Sequence, residues 1–225
     1  MRPLWIGPVV LLAAGCVSSS TPPVSSPAKS LAPRDAAVNP ANIKRVAREL
    51  PAGYEVTTGI PNTASPRVIW RLDAPITTKP PQCATLADPG DARGQSAQGI
   101  SGSGSGGIVD AVVVFVPGLP GPLAPDHDVV AACGQWTMAG RTSVSVRLSE
   151  APHIDGAETL GMVADIRTSV ESGTEIDSRT YTFTAYLGDY YAFTTLTTDP
   201  GSALQALPPQ FAADLLVKTV STLRS

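Results

Sequence analysis

Three cysteines are the residues of this chain whose type and spacing best define a chemistry. Cys16 follows the short apolar run Leu11-Leu12-Ala13-Ala14-Gly15, and Arg2 places positive charge ahead of that run. A charged start, a short apolar stretch and small residues before the cleavage point are the features of a secretory signal. Because a cysteine follows the small residues directly, the pattern predicts a bacterial lipoprotein signal peptide over residues 1–15 and lipidation of Cys16.

The apolar run before Cys16 is shorter than the roughly 20 residues that a membrane-spanning helix needs. We therefore expect attachment to the cell membrane through the lipid on Cys16, with the protein on the extracytoplasmic side. An ordinary secreted protein with a free Cys16 is the alternative. Residues 16–40 are dominated by Ser, Pro and Ala and contain no aromatic residue. This composition cannot bury enough apolar surface to fold, so it predicts a disordered tether.

The other two cysteines, Cys83 and Cys133, are predicted to form a structural disulfide. In an exported protein two leftover cysteines most simply pair with each other. A metal site is disfavoured because two cysteines supply only half of a tetrahedral zinc shell. A redox role is disfavoured because the sequence contains no C-x-x-C motif.

No catalytic site is predicted from the remaining reactive side chains. The two histidines, His127 and His153, lie in different regions, and no G-x-S-x-G nucleophile motif accompanies them. The run Asp126-His127-Asp128 is a poor metal site because adjacent residues of a helix point apart. We expect no catalytic residue, no metal and no cofactor. A hydrolase without a recognisable motif stays open as a minor alternative.

The Gly/Ser-rich segment over residues 100–107 contains a formal G-x-G-x-x-G pattern. That pattern indicates a nucleotide only where a strand precedes it and a helix follows. Here an apolar strand follows, so we interpret the glycines as a mobile loop, a candidate flap beside a cleft. Nucleic acid is also excluded as a partner, because the net charge is −3 and the Lys and Arg residues are not clustered.

Hydrophobic periodicity then gives the elements that position these residues. Helices are predicted from Pro40 to Leu50, from Asp126 to Ala132, and after Pro208-Pro209, while 80–107 is predicted to be largely loop. The predicted strands are Tyr54–Thr58, Arg67–Leu72, Ile108–Val116, Cys133–Met138, Thr142–Leu148, Met162–Val170, Arg179–Leu187 and Tyr190–Thr198. Residues 41–225 thus form one α+β domain of about 185 residues. We expect an antiparallel sheet with the N-terminal and C-terminal helices on one face.

The last two strands flank Gly188-Asp189, a strong signal for a two-residue hairpin turn. This turn pairs Leu187 with Tyr190 and leaves Tyr186, Tyr191 and Phe193, with several threonines, on the face away from the helices. We interpret this aromatic face as the floor of a cleft for a small or lipidic ligand. A threonine-rich solvent face with ordinary cross-strand pairs is the alternative. An interaction surface for another envelope protein is a further alternative.

These residues together resemble a known group of proteins. The resemblance rests on four features: the run Ala13-Ala14-Gly15-Cys16, the Ser/Pro tether, the helix end Leu50-Pro51-Ala52-Gly53-Tyr54, and Cys83 with Cys133-Gly134-Gln135-Trp136. On these features the chain is similar to an uncharacterised family of mycobacterial cell-envelope lipoproteins. More distantly, the chain resembles the extracellular sensor domain of PknH-like receptor kinases, which have two disulfides where this chain can form one. The resemblance implies an α+β domain with a cleft and a sensor-like, non-catalytic function.

Overall fold

The computed structural model describes residues 37–72, 75–91, 94–169 and 173–225. The predicted signal peptide, the predicted lipidation site Cys16 and the predicted tether as far as residue 36 lie outside these described residues. None of the helices within the described ranges combines the length and hydrophobicity needed to cross a membrane.

The described residues form one antiparallel sheet flanked by helices, which confirms the α+β prediction. Its strands follow the order β1-β3-β4-β9-β8-β7-β6-β5-β2. Their bounds are β1 Glu55–Thr57, β2 Thr77–Lys79, β3 Ser96–Gly104, β4 Gly107–Phe115, β5 Gln135–Ala139, β6 Thr142–Ser149, β7 Glu158–Ser169, β8 Glu175–Leu187 and β9 Tyr190–Thr198. The helices are an N-terminal 3₁₀ helix Pro40–Glu49, α1 Pro66–Ile69, a 3₁₀ turn Pro81–Cys83, α2 Ala84–Ala87, α3 His127–Ala132 and α4 Pro209–Leu223.

Helix caps follow the local sequence. The Asn39 side chain accepts a hydrogen bond from the Ala41 amide at the start of the 3₁₀ helix, 3.2 Å away. Asp126 caps α3 by accepting from the amides of Asp128 and Val129 at 2.9 and 3.1 Å. Both are residue types that favour the N-cap because a short polar side chain satisfies amides left free in the first turn.

The N-terminal 3₁₀ helix and α4 cover one face of the sheet, as predicted. Their apolar side chains and the inward side chains of β3, β4, β8 and β9 form one core, which includes Ile43, Val46, Ile100, Val109, Val113, Phe183, Ala192, Leu196, Leu215, Leu216 and Val220. The opposite face carries a second core beneath α1, α2 and the disulfide, which includes Trp70, Leu86, Val112, Val114, Trp136, Met138, Val146, Met162, Tyr191 and Phe193.

The β8–β9 hairpin has the predicted register. Gly188-Asp189 forms its turn, and the pairs run from Leu187 with Tyr190 to Tyr181 with Leu196 and beyond. Gly188 has φ +69°, the left-handed conformation that this turn requires and that glycine adopts without a Cβ clash.

The glycine-rich segment is a strand, so the predicted mobile loop is wrong there. All of β3 pairs with β4, from Ser96 with Phe115 to Gly104 with Gly107. The glycines permit close packing: a Cβ atom on Gly102 would lie 2.5 Å from Cδ1 of Leu50. Alternation of side-chain type cannot reveal such a strand, since glycine has no side chain to alternate.

The prediction of a strand over Arg67–Leu72 is also wrong, because this segment contains α1. Val68, Trp70 and Leu72 alternate as a strand would, but six residues are too few to distinguish the two periods. Pro66 occupies the first turn of the helix after Ser65, a position for which proline is pre-organised.

Candidate functional site

A cavity of about 680 Å³ lies on the sheet face that α4 does not cover. Its lining comes from β3, β4, β7, β8 and β9 on the sheet side, and from α1 and the residues after it above. We call it the Asp110 cavity. Its polar lining residues on the strands include Ser101, Asp110, Thr168, Ser178, Thr180, Thr197 and Thr198.

Asp110 is the buried charged group of this lining. It is 4% exposed and lies in β4 between Val109 and Ala111. Its Oδ2 atom accepts a 2.6 Å hydrogen bond from the Thr195 hydroxyl on the neighbouring β9. Burial raises the pKa of the Asp110 carboxyl, while hydrogen bonds from Ser101 and Thr195 act in the lowering direction. Among the ion pairs of the described residues, none includes Asp110.

A second row of hydroxyls lies one pleat further along the same face. Thr180 and Thr197 are cross-strand partners, and their hydroxyl oxygens are 2.9 Å apart. A threonine pair of this kind stabilises the sheet locally. The pair also gives the cavity hydroxyl groups that can donate or accept hydrogen bonds.

The walls of the cavity are apolar. Ile108 and Ile176 line it and are 41% and 54% exposed, although large aliphatic side chains are usually buried. Val68, Ile69 and Trp70 of the α1 region contribute the opposite wall. The cavity thus combines apolar walls with many hydroxyl and carboxyl groups on the strands, and small-molecule sites characteristically join apolar surface to polar groups that fix the ligand's orientation.

The wall formed by α1 is fixed by two polar contacts. The Trp70 indole donates a 3.1 Å hydrogen bond to the Thr182 hydroxyl of β8. Arg67 forms an ion pair with Asp88, with Nη2 and Oδ2 2.8 Å apart. Burial raises the pKa of the Asp88 carboxyl, and the Arg67 charge opposes that shift. The Trp70 bond ties the α1 region to the sheet, and the Arg67–Asp88 ion pair ties α1 to the residue that follows α2.

Arg71, which follows α1, also lines the cavity and has an unusual backbone. Its φ is +60°, in the left-handed region that favours glycine. An L-residue other than glycine costs about 1–2 kcal/mol in that conformation. A cationic side chain therefore lines the cavity at a backbone position where glycine would be less strained.

The predicted aromatic face lies on the same side of the sheet but at its other end. Tyr191 and Phe193 are fully buried, and their ring centroids are 6.0 Å apart. The Tyr191 hydroxyl donates to Oε1 of Gln95 at 3.4 Å. Tyr186, which is 5% exposed, lines a separate cavity of about 470 Å³ with Leu123 and other residues. The three rings therefore do not surround one cavity. On this side of the sheet, the threonines Thr180 and Thr197 border the Asp110 cavity.

Sequence reasoning did not single out Asp110, Thr180, Thr197 or Trp70. One signal was present: Asp110 is the lone charged residue in an otherwise apolar strand. Such a residue needs a buried polar environment, because an uncompensated buried charge is expensive.

The Cys83–Cys133 disulfide is present, as predicted. The two Cα atoms are 5.7 Å apart, and both residues are fully buried in the second core. The bond joins the turn before α2 to the segment that enters β5. It therefore helps to hold the α2 region over the sheet.

The two histidines lie at the surface. His127 Nε2 is 3.1 Å from Glu158, and His153 Nε2 is 3.2 Å from Asp155. Their side chains are 78% and 89% exposed, and neither has a serine among these contacts. In the described ranges, no three His, Cys, Asp or Glu side chains are grouped so as to hold a metal ion.

Comparison with known proteins relates this chain to a family and to a solved fold. A family model for a domain of unknown function, DUF5642, matches residues 39–224. The crystal structure of an uncharacterised Mycobacterium smegmatis protein, an Rv0999 ortholog, is similar with a TM-score of 0.60 and 17% identity. That match covers 85% of this chain and all of the other.

The extracellular domain of PknH from Mycobacterium tuberculosis matches with a TM-score of 0.45 and 12% identity, over 83% of this chain and 92% of that domain. No curated protein matches the chain.

Proposed function

The chain belongs to the DUF5642 family, and we propose that it is an extracytoplasmic, lipid-anchored, non-catalytic domain that binds a small amphipathic ligand in the Asp110 cavity. The observation that carries this proposal is the cavity itself. It joins a buried carboxylate and a row of hydroxyls to walls made of exposed isoleucines. Contact between water and these apolar walls is unfavourable in free energy. An apolar ligand group that covers the walls removes that contact and so favours binding.

The extracytoplasmic location is supported by chemistry in the chain. The Cys83–Cys133 disulfide is of a kind that persists in oxidising compartments and is rare in the cytosol. The signal-like run before Cys16 predicts export and lipidation at that residue. Two or more acyl chains on Cys16 would anchor the domain firmly, whereas one would hold it only weakly.

A binding cavity is better supported than a protein-interaction surface. An interaction surface is expected to present a contiguous apolar patch. In the described part of the chain, the large exposed apolar side chains other than Ile108 and Ile176 are Val56, Phe115, Leu204 and Val217. These four lie on β1, β4, the segment before α4, and α4, so they belong to separate elements.

Mass spectrometry of small molecules extracted from the purified mature protein tests ligand binding. We expect an amphipathic molecule to copurify with the wild-type chain and to be lost from the Ile176→Arg variant, which places charge at an exposed wall position. Val217→Arg on α4 is the matched control and should retain the molecule. Equal retention by both variants, or no bound molecule in the wild type, contradicts the proposal.

Lipid anchoring is tested on the same protein. We expect the N-terminal peptide of the mature chain to carry acyl mass on Cys16. A Cys16→Ser variant should leave the membrane fraction without acyl mass. An unmodified Cys16 in the wild type overturns the anchoring proposal and leaves the binding proposal unaffected.

A further inference from the structure

We propose that the ligand of the Asp110 cavity carries a cationic, hydrogen-bond-donating group, such as a protonated amine, that pairs with the Asp110 carboxylate, joined to an apolar body that lies against the isoleucine walls. This inference rests on the proposed binding function and specifies the chemical class of the ligand.

The first argument is the missing counter-charge. Asp110 is 96% buried, since 4% of its surface is exposed, yet it has no cationic partner among the described ion pairs. A buried carboxylate is costly unless it is both hydrogen-bonded and paired. The structure supplies the hydrogen bonds and leaves the pairing open.

The second argument is the remaining hydrogen-bonding capacity. An ionised carboxylate accepts about four hydrogen bonds, and Asp110 accepts from the Thr195 and Ser101 hydroxyls. Both partners are neutral, so they add no positive charge. Because Asp110 also lines the cavity, a donor group inside the cavity can use the remaining acceptor positions.

The third argument is the charge around the cavity. The charged lining residues are Asp110, Asp177, Asp199 and Arg71. Three carboxylates against one guanidinium favour a cation and oppose an anionic group such as a carboxylate. Arg167 bonds Asp177 at 2.9 Å and reduces the field of that residue, but it does not reach Asp110 in any described contact.

The fourth argument is the apolar wall beside the charged group. Ile108 follows Gly107 at the start of β4, two residues before Asp110, so both side chains lie on the same face of the sheet. Ile176 faces the same cavity from β8. A ligand that reaches Asp110 therefore also contacts aliphatic surface, which selects an amphipathic amine over a small inorganic cation.

Three probes with one apolar body test the head-group preference. Hexylamine, 1-hexanol and hexanoate would be titrated against the mature lipidated chain in nanodiscs by ligand-observed NMR, with empty nanodiscs as the blank. We expect hexylamine to bind about tenfold more tightly than 1-hexanol, because a hydrogen bond to a charged group contributes at least about 1.4 kcal/mol. Hexanoate should bind most weakly.

Variants then assign the preference to Asp110. In Asp110→Asn we expect hexylamine affinity to fall about tenfold, to the level of 1-hexanol, with 1-hexanol affinity unchanged. Asp214→Asn removes a carboxylate from α4, on the other side of the sheet, and should leave all three affinities unchanged. The ranking of probes on the wild-type protein tests the inference even if Asp110→Asn fails to fold.

The outcomes separate the two proposals. If the three probes bind the wild type with equal affinity, the cationic preference is wrong and the binding cavity stands. If hexanoate binds best, the inference is likewise overturned. If none of the probes binds, the proposed cavity function itself is contradicted.

Discussion

The indole of Trp70 donates its hydrogen bond to the hydroxyl of Thr182, a residue 112 positions further along the chain. Trp70 lies at the end of a one-turn helix, and Thr182 lies in the middle of β8. The bond therefore ties the α1 wall of the Asp110 cavity to β8, a strand whose residues Ser178 and Thr180 line the cavity. Both residues are fully buried, so an unpaired group at either end would have no water to replace the partner.

A double-mutant cycle measures this tie. Trp70→Phe removes the donor, and Thr182→Val removes the acceptor while keeping a similar shape. We expect each single change to lower the free energy of unfolding by urea, and the double variant to lose about 0.5–1.5 kcal/mol less than the sum. Strict additivity of the two changes would show that the hydrogen bond does not couple the α1 wall to β8.

Part of this arrangement can be predicted from sequence because its signals are local. Gly188-Asp189 between two alternating runs fixes the β8–β9 register, since a two-residue turn leaves one pairing. The alternation then separates the face under α4 from the face with Tyr191 and the threonines. The disulfide is also predictable, because Cys83 and Cys133 are the cysteines left after Cys16.

The cavity itself is not predictable in the same way. One wall is formed by α1, and the short alternating sequence of this segment is equally consistent with a strand and with a helix. Its depth depends on contacts such as Trp70 with Thr182 that join distant segments and leave no periodic signal. Because such contacts join distant segments, the sequence also does not show where α1 and the disulfide region cover the sheet face that carries Tyr191.

The glycines of β3 are expected to be required for packing. A Cβ atom at Gly99 would lie 2.6 Å from the backbone oxygen of Ala111, which cannot move without disturbing the β3–β4 ladder. We expect Gly99→Ala to lower the free energy of unfolding by about 1–3 kcal/mol.

Gly134→Ala is the matched control, since no atom lies within 4 Å of its added Cβ. It should change stability by less than about 0.5 kcal/mol. Chemical denaturation of the two variants makes the comparison. Equal stabilities for them would indicate that β3 behaves as a free flap after all.

The disulfide is expected to contribute strongly to stability. It links residues 50 positions apart, and closing a loop of that length in the unfolded chain corresponds to about 4 kcal/mol. Replacing both cysteines with alanine should lower the free energy of unfolding by about this amount.

Addition of a reductant should destabilise the wild type and leave the double alanine variant unchanged, as denaturation curves would show. If the reductant has no effect on the wild type after complete reduction, the disulfide is not a source of stability.

The buried carboxylate of Asp110 predicts a pH dependence with a definite sign. Burial raises its folded-state pKa above the ordinary value of 3.8. Below pH 3.8 the group is protonated in both states, so it imposes no ionisation cost on folding. As the pH rises from 3.8 towards the raised folded-state pKa, the unfolded state gains from ionisation while the folded carboxyl keeps its proton, so the folded protein loses stability until the pH has passed that pKa. Asp110→Asn cannot ionise and should avoid this loss.

The free energy of unfolding of ligand-free wild type and Asp110→Asn would be measured from pH 3 upward. We expect the variant to gain relative to the wild type as the pH rises above 3.8, until the difference becomes constant. Asp177→Asn supplies a control of opposite sign, because the Arg167 hydrogen bond lowers the pKa of Asp177 and stabilises its charged form. A difference between wild type and Asp110→Asn that is independent of pH would show that Asp110 ionises in the folded protein as readily as in the unfolded chain.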